Sequence, residues 1–262
     1  MRVILCADDF AQSEAIDRAI IALIEKGRLS ATSCMTLSPR WKEASKQLTP
    51  TIRAKASIGL HLDFTHFSRS TSHAQLVLLS IMHQLSFEHI KVNINQQLDA
   101  FEMAMGSAPD YVDGHQHVHQ LPMIREALLE VLSTRYPKKL PWLRIAKPPI
   151  RDGIKGIIIR ALGANTLERK AKKLGFVCSG SLLGSYGFKG TTETYSKRLQ
   201  SWISTLNDNQ STPVLMCHPA INEMLSTDDP IYAARTTEYQ ALNSDAIAQA
   251  FESLELVKSP SY

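Results

Sequence analysis

Short apolar runs recur along the chain at 3–7 (VILCA), 29–35 (LSATSCM), 55–60 (KASIGL), 110–114 (DYVDG), 142–146 (WLRIA), 175–179 (GFVCS) and 213–217 (PVLMC). Each has strand length and is bounded by polar or Gly/Pro punctuation, so each predicts a β-strand. Longer stretches with apolar residues at helical spacing separate most of them. SEAIDRAIIALIEKG (13–27) and EHIKVNINQQLDAFEMAMG (88–106) both end on glycine, a common left-handed helix stop. LPMIREALLEVLSTRY (121–136), TETYSKRLQSWISTL (192–206) and TEYQALNSDAIAQAFESL (237–254) read as further helices. In the segment 66–87 the polar beginning predicts a loop and the middle a short amphipathic helix. Strand and helix alternating in this way implies parallel strands joined by helical crossovers, in a barrel or an open doubly wound sheet. Neither GxGxxG nor GxxxxGKS/T follows the first strand, which removes support from the nucleotide-binding open sheets.

Composition narrows this further. The 262 residues suffice for one large α/β domain, and no shift in composition marks a second. The net charge of +4 is spread along the chain. Its densest cluster, ERKAKK at 168–173, reads as a solvated helix face, so no nucleic-acid partner is expected. Cys6, Cys34, Cys178 and Cys217 stand singly in or beside apolar runs, with no CxxC pair, and read as small buried hydrophobes. The first strand begins at Arg2 with no leader pattern before it, and no apolar run reaches the roughly 20 residues that span a bilayer. A cytoplasmic protein without a membrane span is the expectation. Its oligomeric state stays open, a homo-oligomer included.

The chemistry-bearing residues fall at strand ends. Asp8 and Asp9 follow VILCA, His61 follows KASIGL, His115 follows DYVDG, Arg144 lies within WLRIA and His218 follows PVLMC. In a parallel barrel the C-terminal ends of all strands open onto one face, so residues distant in sequence converge there. GHQHVH sets His115, His117 and His119 at period two, and a locally extended chain would turn all three to one side. One Asp with two His can hold a divalent ion and leave coordination positions open. Plainer readings compete. One of the two acids could cap the helix that starts near Ser13, His61 could be structural, His218 could be a turn residue before Pro219, and Arg144 could belong to an ion pair.

Taken in order, ADDF, GRLSATSCM, GLHLDFT, PDYVDGHQHVHQLP and LMCHPA resemble the YdjC-like family of carbohydrate deacetylases, which includes the ChbG-type chitooligosaccharide deacetylases and the hopanoid-associated HpnK proteins. The resemblance runs from Arg2 to about Ala220. It implies an incomplete or distorted (β/α) TIM-like barrel of the polysaccharide deacetylase type. It also implies a metal-dependent hydrolase that removes acetyl from an N-acetylated sugar or oligosaccharide. Asp9, His61 and His115 would be the metal ligands, Asp8 the general base and His218 the general acid. His117, His119 and Arg144 would bind substrate or support the ligands. The ion would be Mg2+ or Zn2+, with Mn2+, Co2+ and Ni2+ as further candidates, and the partner an N-acetylated carbohydrate. Ala11 and Ala220 stand where the family usually carries glycine, and each such glycine marks a backbone position with positive φ or close approach. The usual Gly/Pro-rich insertion after GLHLDFT is also absent. Two alternatives stay beside this one. A sugar-binding or regulatory protein on the same fold would need neither Asp8 nor His218. Another metal-dependent hydrolase, such as an HxH phosphoesterase, would carry HxH after the first strand, where this chain has ADDF.

Overall fold

The computed structural model describes residues 1–68, 71–149, 153–207, 211–222 and 229–260. The first half of the chain forms β1 (Arg2–Phe10), α1 (Glu14–Glu25), β2 (Ala31–Cys34), α2 (Trp41–Ala44), α3 (Pro50–Lys55), β3 (Ser57–Leu62), α4 (His73–Ile81), α5 (Phe87–Met105), β4 (Tyr111–Gly114) and α6 (Ile124–Arg135). The second half adds β5 (Trp142–Leu143), α7 (Gly153–Ala161), α8 (Ala164–Lys173), β6 (Leu182–Leu183), α9 (Thr192–Ile203), β7 (Val214–Cys217), α10 (Tyr232–Leu242), α11 (Asp245–Phe251) and β8 (Glu255–Leu256).

Every strand pair is parallel, and the strands run in the order β5-β4-β3-β2-β1-β7-β6, with β8 paired to the start of β1. β1 is central, and from Val3 to Phe10 every residue is buried, as expected for a strand covered on both faces. The run at 175–179, read from sequence as a strand, forms only an isolated bridge between Cys178 and Leu143. Around it, Leu143 N–H donates to the Val177 carbonyl and Ser179 N–H to the Leu143 carbonyl, both at 2.9 Å. On the other flank Gly180 N–H donates to the Thr212 carbonyl at 2.7 Å and Val214 N–H to that of Ser181 at 3.0 Å. Residues 177–183 thus bridge β5 to β7, and the curled sheet is a distorted barrel, as the resemblance implied.

Local signals explain most helix ends. Ser13 caps α1 by accepting the Ile16 N–H at 3.4 Å, and α5 stops at Gly106 with φ 68°. The stretch 66–87 does contain a short helix, α4; residues 69–70 lie outside the described residues. The helix expected over 237–254 is two helices, because Ser244 caps a new one by accepting the Ile247 N–H at 3.4 Å.

The two alanines at the family's glycine positions differ. Ala11 sits at φ 76°, whereas Ala220 is not among the positive-φ residues. Both are buried. A left-handed backbone costs an L-residue roughly 1–2 kcal/mol, which offsets the loss of a buried methyl and the added freedom of the unfolded chain. Ala11→Gly is therefore expected to be neutral or slightly stabilising in urea denaturation, and Ala220→Gly to cost about 1 kcal/mol. Equal losses at the two positions would refute the strain assigned to Ala11.

Candidate active site

The site begins with a distortion in β1. Its register with β2 shifts between Ala7 and Phe10, and Asp9 adopts φ 69°. An undistorted strand would send adjacent side chains to opposite faces. Here Asp8 and Asp9 both line one cleft. Neither caps α1, since Ser13 does, so the capping alternative does not hold.

Asp9 is the hub. Its Oδ1 lies 3.0 Å from His115 Nδ1 and 3.4 Å from His61 Nε2, and its Oδ2 accepts from Arg235 Nη2 at 2.7 Å. The ligand-type atoms of Asp9, His61 and His115 all lie within 4.8 Å of one another. His61 Nδ1 lies 2.6 Å from Asp113 Oδ1. Donation there orients the ring so that, once the Nε2 proton gives way to a bound ion, the lone pair faces Asp9, the usual outer support of a ligating imidazole. Burial opposes a charge on His61, but the Asp113 and Asp8 carboxylates overcome it and push its pKa up to about 10. Burial likewise opposes ionisation of Asp9, and Arg235 outweighs it, holding the carboxyl well below the usual range.

Asp8 belongs to a second cluster beneath the first. Arg144 Nη1 and Nη2 donate to its two oxygens at 2.5 and 2.8 Å, and Arg144 Nη1 also lies 3.0 Å from Asp113 Oδ2. Burial would raise the Asp8 pKa, but Arg144 reverses the sign and lowers it far below the ordinary carboxylate value. His218 follows β7, with Nε2 3.9 Å from Asp8 Oδ2 and its ring edge-on to Phe188 at 5.2 Å between centroids. Burial lowers its pKa to about 4, although Asp8 and Asp9 pull the other way.

The structure brings Asp8, Asp9, His61, His115, His117 and His218 to the cleft, but not His119 or Arg144. The expected common orientation of the three histidines fails because the chain turns at 115–120, with Gln116 at φ 51° and His117 at φ 62°. His115 meets Asp9 and His117 lines the cleft. His119 is buried behind them, its Nε2–H donating to the Arg144 carbonyl at 2.8 Å. A side chain at Gly114 would collide with it, since an added Cβ would stand 2.9 Å from His119 Nδ1. Arg144 is fully buried, so contact with Asp8, not with substrate, is its position.

Three contributors were not singled out from sequence. Asp113 carries a visible signal, a carboxylate inside the apolar strand DYVDG. Arg235 and Glu238 carry none, being ordinary polar residues one helical turn apart on α10. Glu238 accepts the Tyr186 hydroxyl at 2.7 Å and the His218 backbone N–H at 2.6 Å. Burial raises its pKa from 4.5 to about 7. In the window from about 4.5 to 7 the folded chain holds a proton that the unfolded chain has released, so stability falls as pH rises. Glu238→Gln is expected to flatten this decline in urea denaturation between pH 5 and 7. An unchanged slope would count against a protonated Glu238.

A curled parallel α/β barrel with carboxylates and imidazoles gathered at the C-terminal ends of β1, β3, β4 and β7 defines the class. The chain belongs to the YdjC-like protein family, whose sequence pattern matches residues 2–253. Among curated relatives, a chitooligosaccharide deacetylase of Yersinia enterocolitica is 27% identical over 96% of this chain and 94% of its own. A carbohydrate deacetylase of Clostridium beijerinckii is 23% identical over 95% and 94%. A crystal structure from Enterococcus faecalis, assigned to cellobiose-phosphate cleavage, superposes with a TM-score of 0.74 at 20% identity, covering 98% of this chain and 97% of that one. That likeness establishes the fold.

Proposed function

We propose that the whole chain acts as one metal-dependent carbohydrate N-deacetylase domain, hydrolysing the acetamide of an N-acetylated sugar to acetate and a free amine. The observation that carries this reading is the Asp9–His61–His115 cluster at the strand ends, with Asp8 and His218 beside it in one cleft.

The donor set fits a divalent ion. It offers one carboxylate and two imidazoles, whose number leaves room for water and substrate. In the metal-free chain the buried carboxylates of Asp8, Asp9 and Asp113 are balanced by Arg144, Arg235 and a protonated His61, and a divalent ion would take the place of the His61 proton opposite Asp9. When bound, such an ion acidifies water and polarises a carbonyl oxygen.

The chain's own residues supply the proton chemistry. Asp8 accepts a proton from the attacking water as the water oxygen bonds to the acetyl carbon. Arg144 keeps Asp8 ionised and at the same time makes it a weaker base. His218 is neutral at physiological pH, and at 3.9 Å from Asp8 it is placed to receive that proton and deliver it to the sugar nitrogen as the C–N bond breaks. Phe188 packs edge-on against the imidazole and restrains its orientation.

Among the described residues no helix is long and apolar enough to cross a membrane. The four cysteines are free and buried, which supports placing this activity in the reducing cytoplasm. The direct experiment is acetate release from N,N′-diacetylchitobiose and related N-acetyl sugars by chelator-stripped protein reloaded singly with Zn2+, Mg2+, Mn2+, Co2+ or Ni2+. Release only after reloading is expected. Sugar binding without acetate under every ion would favour the non-catalytic alternative.

A further inference from the structure

Resting on the deacetylase reading, we propose that Glu238 is a positioning residue for the general acid, acting on His218 through the main chain and not through its ring. The His218 imidazole has no orienting partner of the usual kind. Its Nδ1 is buried without a hydrogen bond among the described residues, whereas His61 Nδ1 meets Asp113 at 2.6 Å. A ring nitrogen held by a carboxylate or carbonyl is how catalytic and ligating imidazoles are commonly fixed. In His218 the backbone supplies what the ring lacks. Its N–H donates to Glu238 Oε2 at 2.6 Å, Pro219 has no N–H to place, and Ala220 N–H donates to the Arg235 carbonyl at 3.2 Å. Both amide donors of residues 218–220 thus end on α10.

Glu238 also closes a ring of contacts about that imidazole. Its Oε1 accepts the Tyr186 hydroxyl at 2.7 Å, Tyr186 packs on Phe188 at 5.0 Å between centroids, and Phe188 stands edge-on to His218 at 5.2 Å. Phe188 holds left-handed backbone at φ 54°, a conformation that costs an L-residue energy and persists where its surroundings impose it. One fully buried carboxylate therefore ties the loop after β7 to the loop after β6. A hydrogen bond from an amide to an ionised acceptor is of the stronger kind, and removing the acceptor leaves a buried donor unsatisfied. The loop then shifts and carries His218 from its place 3.9 Å from Asp8. Glutamine can hold the same position, because its carbonyl oxygen accepts the His218 N–H while its amino group faces a Tyr186 oxygen that is able to accept.

The test uses metal-loaded Glu238→Met and Glu238→Gln, each alone and combined with His218→Ala. In acetate release from N,N′-diacetylchitobiose, Glu238→Met is expected to lower kcat by about 10- to 100-fold, the scale of a misplaced catalytic group, with KM and metal content unchanged. Glu238→Gln is expected to restore most of that turnover. In the His218→Ala background Glu238→Met is expected to cost little more, since the two residues act as one unit. Hydrolysis of p-nitrophenyl acetate, whose leaving group departs without a proton, is expected to be spared. Hydrogen exchange of the His218 amide, read by NMR, is expected to be fast in Glu238→Met and slow in wild type and Glu238→Gln. Should Glu238→Met not fold, Tyr186→Phe is expected to lower kcat by a smaller factor that likewise vanishes in the His218→Ala background. Turnover unmoved in Glu238→Met, equal losses in both backgrounds, an ester rate that falls with the amide rate, or a His218 amide equally protected in every variant would overturn the role and leave the deacetylase reading standing. No acetate from wild type under any ion, with amide protection lost in Glu238→Met and kept in Glu238→Gln, would leave Glu238 as the holder of His218 and refute the deacetylase reading.

Discussion

Asp8→Asn is expected to keep its metal and to lose turnover by about 10²- to 10⁴-fold, the range for removing a general base. Asp113 still faces Arg144 in that variant, so the buried guanidinium keeps one carboxylate partner and the fold survives. Asp9→Asn is expected to behave differently. A neutral amide is a poorer ligand than a carboxylate, and metal and activity should be lost together while Arg235 keeps Asp229 as its partner at 2.5 Å. Metal content, melting temperature and acetate release measured on both proteins decide between the two roles. Near-normal turnover in Asp8→Asn, on a substrate the wild type hydrolyses, would remove Asp8 from the chemistry.

The second large effect concerns stability. Arg144 is fully buried and bridges Asp8 and Asp113. Arg144→Met leaves Asp8 in a dry interior without its guanidinium and Asp113 with only His61 opposite it, and removing one partner of a buried ion pair typically costs about 3–5 kcal/mol. Urea denaturation of the metal-free variant is expected to show a loss of this size. Adding Asp8→Asn and Asp113→Asn to Arg144→Met is expected to recover much of it, because the uncompensated charges disappear. A loss below about 1 kcal/mol for Arg144→Met would mean that water reaches the cluster and screens it.

The legibility of these features in the sequence follows the physics that marks them. β1, β3, β4 and β7 are fully buried parallel strands apart from Arg2, so their apolar runs stand out. β6 and β8 contribute two residues each, too few to form a run. GFVCS has strand composition, yet its neighbours give it one bridge, a tertiary outcome that composition does not encode. The strand-end acids and histidines were visible because a parallel barrel turns sequence position into spatial position. The divergence of His115, His117 and His119 was not, because it depends on left-handed backbone at Gln116 and His117, which neither residue type announces. Arg235 and Glu238 reach the site only through the docking of α10.

The pairing of β1 also governs how the chain must assemble. The strand bearing Asp8 and Asp9 leaves the ribosome well before its partners, for Ile4 pairs with Val214 and Arg2 with Glu255. Contacts so distant in sequence carry a large loop-closure cost and are made slowly. Until β7 arrives, the nascent chain carries an apolar strand with one open hydrogen-bonding edge, a template for pairing with other chains. The Asp9–His61–His115 cluster is correspondingly completed late, since Arg235, which holds the second oxygen of Asp9, follows β7 in the chain. Under the proposed metal role, a cation arriving before α10 docks would meet a site in which Asp9 still lacks its Arg235 partner.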